Sequence, residues 1–253
     1  MNNHEPRNYI ITGASGLLGK HVVNVLAEHG ERLFLVGRTK QRLEELQSVA
    51  PSRISIYSGD LNDPSVAQEA VSTAIKHFGN IHGLVHLIGQ IVRGPIQTTP
   101  AAQYRAAFDA NFLTAVNITQ PLLSQLAPDA SLVYMSSFLA HDPVQEMSAY
   151  AASKAALVTW AKALAREICS YARANVVSTT ILDDQHWRSR MGTKVNECLI
   201  SPVEIAEMIA HLLSPQTRSL NGAIIPIYGK FCLEDTTFTC LPGQNDDITE
   251  RER

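Results

Sequence analysis

Short apolar segments alternate with longer segments that have a helical spacing of apolar positions along almost the whole chain. The apolar segments, which predict β-strands, lie near residues 8–12, 32–36, 53–57, 81–88, 131–136, 175–180 and 223–228. The amphipathic segments, which predict helices, lie near residues 17–29, 40–48, 64–78, 100–126, 149–172 and 202–213. This alternation predicts an α/β fold, a Rossmann-like doubly wound parallel sheet of about seven strands with helices on both faces. In such a sheet the ligand-binding loops gather at the carboxyl ends of the strands.

The first predicted strand leads into a glycine-rich loop and then into a helix. Residues 12–19 read T-G-A-S-G-L-L-G, and strand, glycine loop and helix is the context that a dinucleotide site requires. Gly13 and Gly16 permit a tight turn beside a pyrophosphate, the helix N-terminus offers N–H groups to the anion, and Gly19 lets the helix pack close to the strand. The cofactor-binding residues predicted here are Gly13, Ser15, Gly16, Leu17, Leu18 and Gly19. The alternative is an ordinary turn that contains glycine.

The residue that follows the second predicted strand bears on the choice of cofactor. NAD-binding units usually place an acidic residue here to hold the ribose 2′-hydroxyl. This chain instead has Gly37 followed by Arg38, and a guanidinium can bind a 2′-phosphate. We therefore expect NADP (as NADPH) to be preferred, with NAD possible. A solvated arginine after a strand is the alternative.

Tyr150 and Lys154 lie four positions apart in the sequence Y-A-A-S-K, and residues with that spacing share one face of a helix. An ammonium beside a phenol favours the phenolate and lowers a tyrosine pKa from about 10, so such a tyrosine can act as a general acid or base. Ser137, earlier in the chain, can hold the same alcohol or carbonyl oxygen. Taken alone, the tyrosine–lysine pair also occurs by chance on solvated helix faces.

The order of these motifs resembles the single-domain short-chain dehydrogenase/reductases over roughly residues 8 to 230. The matching residues are the glycine loop, Asp60-Leu61, Asn111, Ser137, Tyr150 and Lys154. The resemblance implies an NADP-dependent oxidoreductase that interconverts a carbonyl and an alcohol by hydride transfer. Tyr150 is then the general acid/base, and Asn111, Ser137 and Lys154 complete the catalytic set.

The resemblance also assigns cofactor contacts. In the family, an aspartate after the third strand contacts the adenine, which implies this role for Asp60, with Leu61 beside it. An asparagine in the long fourth helix holds a water linked to the lysine, which implies this role for Asn111. Tyr150 and Lys154 are also expected to bind the cofactor, with the nicotinamide facing Tyr150 and Lys154 bonding the nicotinamide ribose. The alternatives are a turn or N-cap role for Asp60 and a local helix bond for Asn111.

Three departures from the family pattern, and the run that follows the third, widen the range of possible functions. The loop spacing T-G-x-x-G-x-x-G is that of the larger, epimerase-like members. Many members have N-N-A-G where residues 86–89 read H-L-I-G, so we expect Gly89 to pass the cofactor and the strand-steadying asparagine bonds to be absent. Thr179-Thr180 replaces the usual Pro-Gly. The run Leu182–Met191 is similar to dihydropteridine reductase-like members. A pteridine-type reductase and a non-catalytic NADP-binding redox sensor therefore remain alternatives.

Bulk properties narrow the function classes. A chain of 253 residues, 45% of them hydrophobic, is expected to form one catalytic domain over residues 1–253 with a charged, mobile tail at residues 243–253. A net charge of −3 without a basic stripe argues against nucleic-acid binding, and no apolar run approaches the roughly 20 residues of a membrane span. The N-terminus has no signal-peptide core and the four cysteines form no C-x-x-C pair, as expected for a cytoplasmic protein. No carboxylate or cysteine cluster lies near His82 and His86, so no metal site is expected.

The resemblance further implies a small-molecule substrate and an oligomer. Family members commonly pair two long helices at a dimer interface, so a homodimer or homotetramer is expected. The apolar stripes on these helices are Phe108, Phe112 and Val116, and Leu157, Trp160 and Leu164. The same stripes are equally suited to face the sheet. His186 and Trp187 lie where the family has a mobile substrate lid.

Overall fold

The computed structural model describes residues 5–185, 188–189 and 199–229, and within these residues a seven-stranded sheet forms the centre of the molecule. The strands are β1 (Asn8–Thr12), β2 (Arg32–Gly37), β3 (Ile54–Ser58), β4 (Ile81–His86), β5 (Leu126–Ser137), β6 (Ala172–Thr179) and β7 (Ile224–Ile227). They run parallel in the order β3-β2-β1-β4-β5-β6-β7. This topology confirms the predicted Rossmann-like doubly wound α/β fold.

Helices cover both faces of the sheet. They are α1 (Leu17–Glu28), α2 (Lys40–Gln47), α3 (Pro64–Phe78), α4 (Ala101–Phe108), α5 (Thr114–Leu122), α6 (Ser148–Glu167) and α7 (Pro202–Leu213). The start of α3 illustrates how the sequence sets such bounds, because the Asp63 carboxylate accepts a bond from the Ser65 N–H and Pro64 occupies the first helical position. Gly79, with φ of 73°, ends the same helix.

The core has two layers, one on each side of the sheet. Ile11 packs with α1, α2 and α7, whereas its neighbour Ile10 packs with α3, α5 and α6. Both side chains are fully buried. Because the inner strands of the sheet are covered on both faces, strands such as β1 and β2 read as continuous apolar runs rather than as an alternation of apolar and polar residues.

The predicted single helix over residues 100–126 is wrong in one respect. A π-helical turn, Asp109–Leu113, separates α4 from α5. At this turn the Thr114 hydroxyl donates to the Ala110 carbonyl oxygen at 2.8 Å, and the side chain of Asn111 is bonded to neighbouring elements. Such side-chain bonds give the backbone an alternative to the regular helical ladder, and π-turns often accompany functional sites.

β5 begins at Leu126, earlier than the predicted start at residue 131. Its partners on β4 shift from the Ile81–Leu126 pair to the Gly83–Ser131 pair, so β5 carries extra residues between them. Asp129 lies in this irregular stretch with φ of 60°, a conformation that aspartate tolerates better than most residues. Residues 128–129, Pro-Asp, have the composition of a turn, which is why the sequence pattern placed the strand start after them.

Candidate active site

The candidate active site is a crevice at the carboxyl ends of β1 and β4, where the order of the strands in the sheet changes direction. β1 has β2 on one side and β4 on the other, so the chain after β3 crosses back over β1. In doubly wound sheets this switch point is where ligands bind.

The glycine loop between β1 and α1 is packed so tightly that side chains do not fit. Gly13 has φ of +70°, and a Cβ there would lie 3.1 Å from the backbone of Leu87 and Ile88. A Cβ on Gly19 would lie 2.4 Å from the backbone oxygens of Gly13 and Ala14. These two positions therefore require glycine, as predicted, and the loop backbone is held against the end of β4.

The N-terminus of α1 is suited to an anion. Gly16 is the N-cap and provides no side-chain bond to the first N–H groups of the helix. Ser15 is half-buried, Leu17 is 41% exposed and Leu18 is buried in the core. Leu18 is consequently confined to backbone contact with a ligand. A glycine loop that leads into the N-terminus of a helix, with no side chain capping that terminus, fits a dinucleotide pyrophosphate.

The residues predicted to bind the adenosine half lie on the other side of the loop, after β2 and β3. Arg38 is exposed, and its carbonyl oxygen accepts a bond from Ser58 Oγ at 2.9 Å. Asp60 is exposed, and its carboxylate accepts the N–H of Asn62 at 3.0 Å, so it makes the local turn that was the alternative reading. Leu61 is buried. The structure brings this group near the glycine loop but not to the tyrosine and lysine.

The predicted catalytic residues on α6 and β5 meet at the end of β5. Lys154 is buried, and its Nζ donates to the carbonyl oxygen of Met135 at 3.0 Å. The same Nζ lies 6.0 Å from the centroid of the Tyr150 ring. Ser137 ends β5, and its Oγ accepts the N–H of Leu139 at 3.3 Å. Tyr150 is half-buried and packs on the cluster that contains Leu139, so the structure brings Ser137, Tyr150 and Lys154 together.

Asn111 connects the π-turn to this group. Its Oδ1 accepts the N–H of Gln90 at 2.7 Å, and its Nδ2 donates to the Gln90 carbonyl oxygen at 2.9 Å and to Ser153 Oγ at 3.0 Å. Ser153 Oγ in turn donates to the carbonyl oxygen of Tyr150 at 2.7 Å. Asn111 is fully buried, so it bonds across elements rather than within its own helix.

Gly89 lies between the asparagine and the lysine. A Cβ built on Gly89 would be 2.9 Å from both Asn111 Oδ1 and Lys154 Nζ. The absence of a side chain therefore lets the backbone after β4 pass both polar groups closely. The approach to the cofactor that the sequence predicted for Gly89 stays a prediction.

His86 adds bonds that the sequence did not predict. Only the asparagine bonds that steady the end of β4 were expected to be absent, and residues 86–89 indeed contain no asparagine. Instead, His86 is fully buried, with Nδ1 2.8 Å from Thr12 Oγ1 and Nε2 3.3 Å from Thr114 Oγ1. Burial, with a further contribution from the ammonium of Lys154, lowers the pKa of His86 to about 3.

A cleft lies between the loop that contains Pro95 and the loop that contains Glu146. Its volume is about 400 Å³, and it is lined by Pro95, Ile96, Gln97, Val144, Gln145, Glu146 and Ser148. The two loops that form it are joined, since Arg93 Nε donates to the Glu146 carboxylate at 2.7 Å and the Gly94 N–H donates to the Glu146 carbonyl oxygen at 2.8 Å. Val144, one of the lining residues, packs on the same apolar cluster as Tyr150, but Tyr150 itself does not line the cleft.

Several sequence-based expectations fall outside the described residues. They concern the lid residues His186 and Trp187, the last two residues of the Leu182–Met191 pattern, and the tail at residues 243–253. Within residues 5–185, 188–189 and 199–229, no helix combines the length and apolar character needed to cross a lipid bilayer.

Taken together, the site offers acid–base chemistry at an oxygen atom beside a dinucleotide cradle. A phenol accompanied by an ammonium and a hydroxyl is suited to exchange a proton with an alcohol or carbonyl. A match to a family model decides the family: residues 13–229 match the model described as enoyl-(acyl carrier protein) reductase. The chain belongs to the short-chain dehydrogenase/reductase family. Membership places it among oxidoreductases, as the resemblance implied.

Curated relatives of this short-chain dehydrogenase/reductase are distant and carry varied names. An uncharacterized oxidoreductase of Staphylococcus saprophyticus is 26% identical over 240 residues, which cover 89% of this chain and 97% of that protein. Ipsdienol dehydrogenase of Ips pini is 24% identical over 246 residues, 87% of this chain and 95% of that protein. The 11-beta-hydroxysteroid dehydrogenase-like 2 of Arabidopsis thaliana is 33% identical over 170 residues, 63% of this chain and 54% of that protein.

Solved structures of the family share the fold. A short-chain dehydrogenase/reductase of Brucella melitensis, described as a glucose/ribitol dehydrogenase, superposes with a TM-score of 0.83 at 26% identity and covers 88% of this chain and 96% of its own. The NADPH-bound short-chain oxidoreductase of Pseudomonas aeruginosa PAO1 with an atypical catalytic center gives a TM-score of 0.82 at 22% identity, with 90% and 97% covered. The second likeness shows the fold alone.

Sequence reasoning missed the residues that hold the predicted ones in place. These are Thr12, His86, Gln90, Thr114, Met135 and Ser153. Thr12, Thr114 and Ser153 contribute side chains that are common in ordinary strands and helices. Gln90 and Met135 contribute only backbone atoms, so no residue pattern marks these five. His86 carried a signal, since it stands where the family has asparagine, but the sequence alone indicated a lost bond rather than a replaced one.

Proposed function

We propose that this short-chain dehydrogenase/reductase interconverts a carbonyl and an alcohol, with NADPH as the hydride carrier and Tyr150 as general acid/base. The observation that carries the proposal is the position of Lys154 Nζ, 6.0 Å from the Tyr150 ring centroid and anchored to β5 just before Ser137. A positioned acid/base on the substrate oxygen contributes typically about 10²–10⁴-fold in rate. Proton transfer to the substrate oxygen completes a reduction only if a hydride is also transferred to the carbon bonded to it.

Residues of the glycine loop, of the segments after β2 and β3, and of α6 would hold the cofactor. The backbone at Gly13 and the N-terminus of α1 would hold the pyrophosphate. Arg38 would hold the 2′-phosphate, Asp60 the adenine, and Lys154 the nicotinamide ribose. When bound, NADPH supplies the hydride that the amino acids of the chain lack.

In the reductive direction, the side chains of the site act on the carbonyl oxygen of the substrate. Ser137 Oγ donates a hydrogen bond to the carbonyl oxygen of the substrate and orients it. The Tyr150 hydroxyl donates its proton to that oxygen as the carbon accepts the hydride, so that C=O becomes CH–OH. Lys154 stabilises the resulting phenolate by its positive charge. Asn111 keeps the backbone at Gln90 in place beside the lysine, and water relays a proton back to the tyrosine.

NADP is proposed over NAD on the residue chemistry after β2. β2 ends at Gly37 and is followed by Arg38, whose guanidinium can pair bidentately with a phosphate. No carboxylate stands at residues 37–39 to hold a 2′-hydroxyl. The NADPH-bound Pseudomonas neighbour shows that this fold accommodates the phosphorylated cofactor.

The names of two relatives support an alcohol or ketone substrate. One is an ipsdienol dehydrogenase and the other a hydroxysteroid dehydrogenase-like protein. A pteridine-type reductase is the alternative that rests on the Leu182–Met191 pattern. A redox sensor that binds NADP without turnover is the alternative that rests on the altered glycine spacing and the missing asparagines. His86 bonds Thr12 and Thr114 where the usual asparagines are missing, so the missing asparagines give less support to a redox sensor.

The test is NADPH oxidation by the purified chain with a panel of ketones, 3-oxoacyl thioesters and quinonoid pterins. Turnover of ketones or thioesters supports the proposal, and turnover of pterins alone would replace it with the pteridine reductase. Tight NADPH binding without any turnover would favour the sensor. NADH is assayed in parallel, and a preference for NADH would contradict the role of Arg38.

The homodimer or homotetramer stays a prediction, to be checked by size exclusion with light scattering. Leu157 and Leu164 are buried in the core of one chain, and Phe112 and Trp160 are half-buried with ring centroids 6.1 Å apart. Most of the predicted stripe therefore already has packing partners within the chain. Leu113, 40% exposed on the same turn, stays available to a second copy.

A further inference from the structure

His86 lies at the junction of three elements of the site. It ends β4, its register partner on β1 is Thr12, and it faces Thr114 at the start of α5. The imidazole is fully buried, and both ring nitrogens have a threonine hydroxyl as partner, at 2.8 Å and 3.3 Å. In a neutral imidazole one ring nitrogen donates and the other accepts, so the partners of the two nitrogens indicate which one carries the proton.

The direction of these bonds follows from the number of protons available. The Thr114 hydroxyl has one proton, and it donates that proton to the Ala110 carbonyl oxygen at 2.8 Å. Thr114 Oγ1 must therefore accept from His86, which places a proton on Nε2. Nδ1 is then bare and accepts the hydroxyl proton of Thr12. The chain of bonds runs one way, from Thr12 through His86 and Thr114 to Ala110.

The groups that face the imidazole also favour this neutral state. The ammonium of Lys154 is near enough to disfavour a second positive charge, and the Tyr134 ring packs 6.2 Å from the imidazole. Burial raises the pKa of Tyr134, so its phenol stays neutral. An imidazolium would donate from both nitrogens and would oppose the charge of Lys154, so it would break the one-way chain.

The end of the chain is the turn that presents Asn111. Ala110 and Thr114 bracket the π-helical turn Asp109–Leu113, and Asn111 lies inside it. Asn111 in turn holds both backbone groups of Gln90. The backbone beside Gly89, which passes Asn111 and the lysine, is thus fixed from one side by His86.

We propose that His86 is a positioning residue: as a neutral Nε2–H imidazole it couples the strand that leads into the glycine loop to the π-turn, and thereby sets the position of Asn111. In this family member it replaces the asparagine at the same place by a longer side chain that spans two hydroxyls. The proposal deepens the proposed function and rests on it for the catalytic consequence. Its structural part is independent of turnover.

The structural part is tested by NMR on the full chain. Nitrogen-15 spectra of histidine should show His86 as a neutral Nε2–H tautomer from pH 7 down to pH 5. The Asn111 side-chain amide should exchange slowly in the wild type, faster in Thr114→Val, and slowly again in Thr114→Ser, which restores the hydroxyl. Thr119→Val is the matched control. Thr119 lies on the same helix as Thr114, and the substitution removes a buried hydroxyl that bonds the Tyr134 hydroxyl at 2.8 Å. It leaves the hydrogen bonds from Thr12 through His86 and Thr114 to Ala110 intact. An Nδ1–H tautomer, or Asn111 exchange that is equal in Thr114→Val and Thr119→Val, overturns the proposal.

The catalytic consequence is tested with the substrate found in the panel. Thr114→Val should lower kcat at saturating NADPH by about ten- to a hundred-fold, since small displacements of a positioned group have effects of that size. The Kd for NADPH should change less than kcat, and Thr114→Ser should recover most of the rate. Equal kcat in Thr114→Val and wild type would refute a role in catalysis. If the wild type itself turns over no substrate, the proposed function fails, while the NMR result still decides the role of His86.

Discussion

Lys154 on α6 reaches the sheet and donates a hydrogen bond to the carbonyl oxygen of Met135, with Nζ and O 3.0 Å apart. Met135 lies two residues before Ser137 on β5. The lysine is therefore positioned by the same strand that carries the serine, and its Nζ lies 6.0 Å from the centroid of the Tyr150 ring. A buried, bonded ammonium loses little rotamer freedom when a ligand binds, so the site is organised before the substrate arrives.

Tyr150→Phe tests the acid/base assignment. Removal of the hydroxyl should lower kcat by about 10²–10⁴-fold because the proton donor is lost, while the Kd for NADPH should change little. Tyr228→Phe is the matched control, since Tyr228 lies in the same apolar cluster and its hydroxyl bonds Ser178 at 3.1 Å. Near-normal turnover by Tyr150→Phe would remove the residue from the mechanism.

Arg38→Ala tests the cofactor preference. Loss of a charge-assisted bond to the 2′-phosphate, worth about 1.5–3 kcal/mol, should raise the KM for NADPH by about ten- to a hundred-fold and leave the KM for NADH almost unchanged. Lys40→Ala removes the same charge two residues later, where the ammonium is 72% exposed and pairs with Glu44 at 3.6 Å. The assignment does not survive if both variants change the two KM values alike.

The strands and most helices could be predicted because their periodicity is local. Runs such as Asn8–Thr12 are buried on both faces, and their composition shows it. The glycine requirement at Gly13 and Gly19 was equally visible, because only a missing Cβ fits the loop. The Tyr150–Lys154 pairing followed from helical spacing alone.

The π-turn and the role of His86 could not be predicted because they depend on groups far apart in the sequence. The Thr114 hydroxyl bonds the Ala110 carbonyl oxygen of its own helix, but it also contacts His86 on a strand that is distant in the sequence. Likewise, Asp60 reads as a ligand or as a turn residue, and the structure shows its carboxylate engaged in the turn with Asn62. Such features are set by tertiary contacts, which a single sequence does not reveal.

Gly19→Ala tests the packing of the cofactor loop. The added methyl would meet the backbone oxygens of Gly13 and Ala14 at 2.4 Å, and backbone cannot rotate away as a side chain can. We expect a loss of about 1–3 kcal/mol in the free energy of unfolding and a weaker Kd for NADPH. Gly79→Ala is the control, because a Cβ there has nothing within 4 Å and the residue lies at the end of α3. Its strained φ of +73° costs stability, but NADPH binding should be unchanged.

The buried neutral histidine predicts a pH dependence of stability. In the unfolded chain a histidine binds its proton near pH 6.5, whereas in the folded protein the pKa of His86 is about 3. Between these values the unfolded state gains a proton that the folded state lacks, so stability falls as pH falls, by up to about 1.4 kcal/mol per pH unit. Above pH 6.5 both states are neutral at this residue and the effect vanishes. The measurement is urea unfolding at several pH values between 7 and 4.5 for the wild type and for His86→Asn, which carries the residue usual in the family. The wild type should lose stability more steeply toward acid than the variant, and parallel curves for the two proteins would show that His86 is not held neutral.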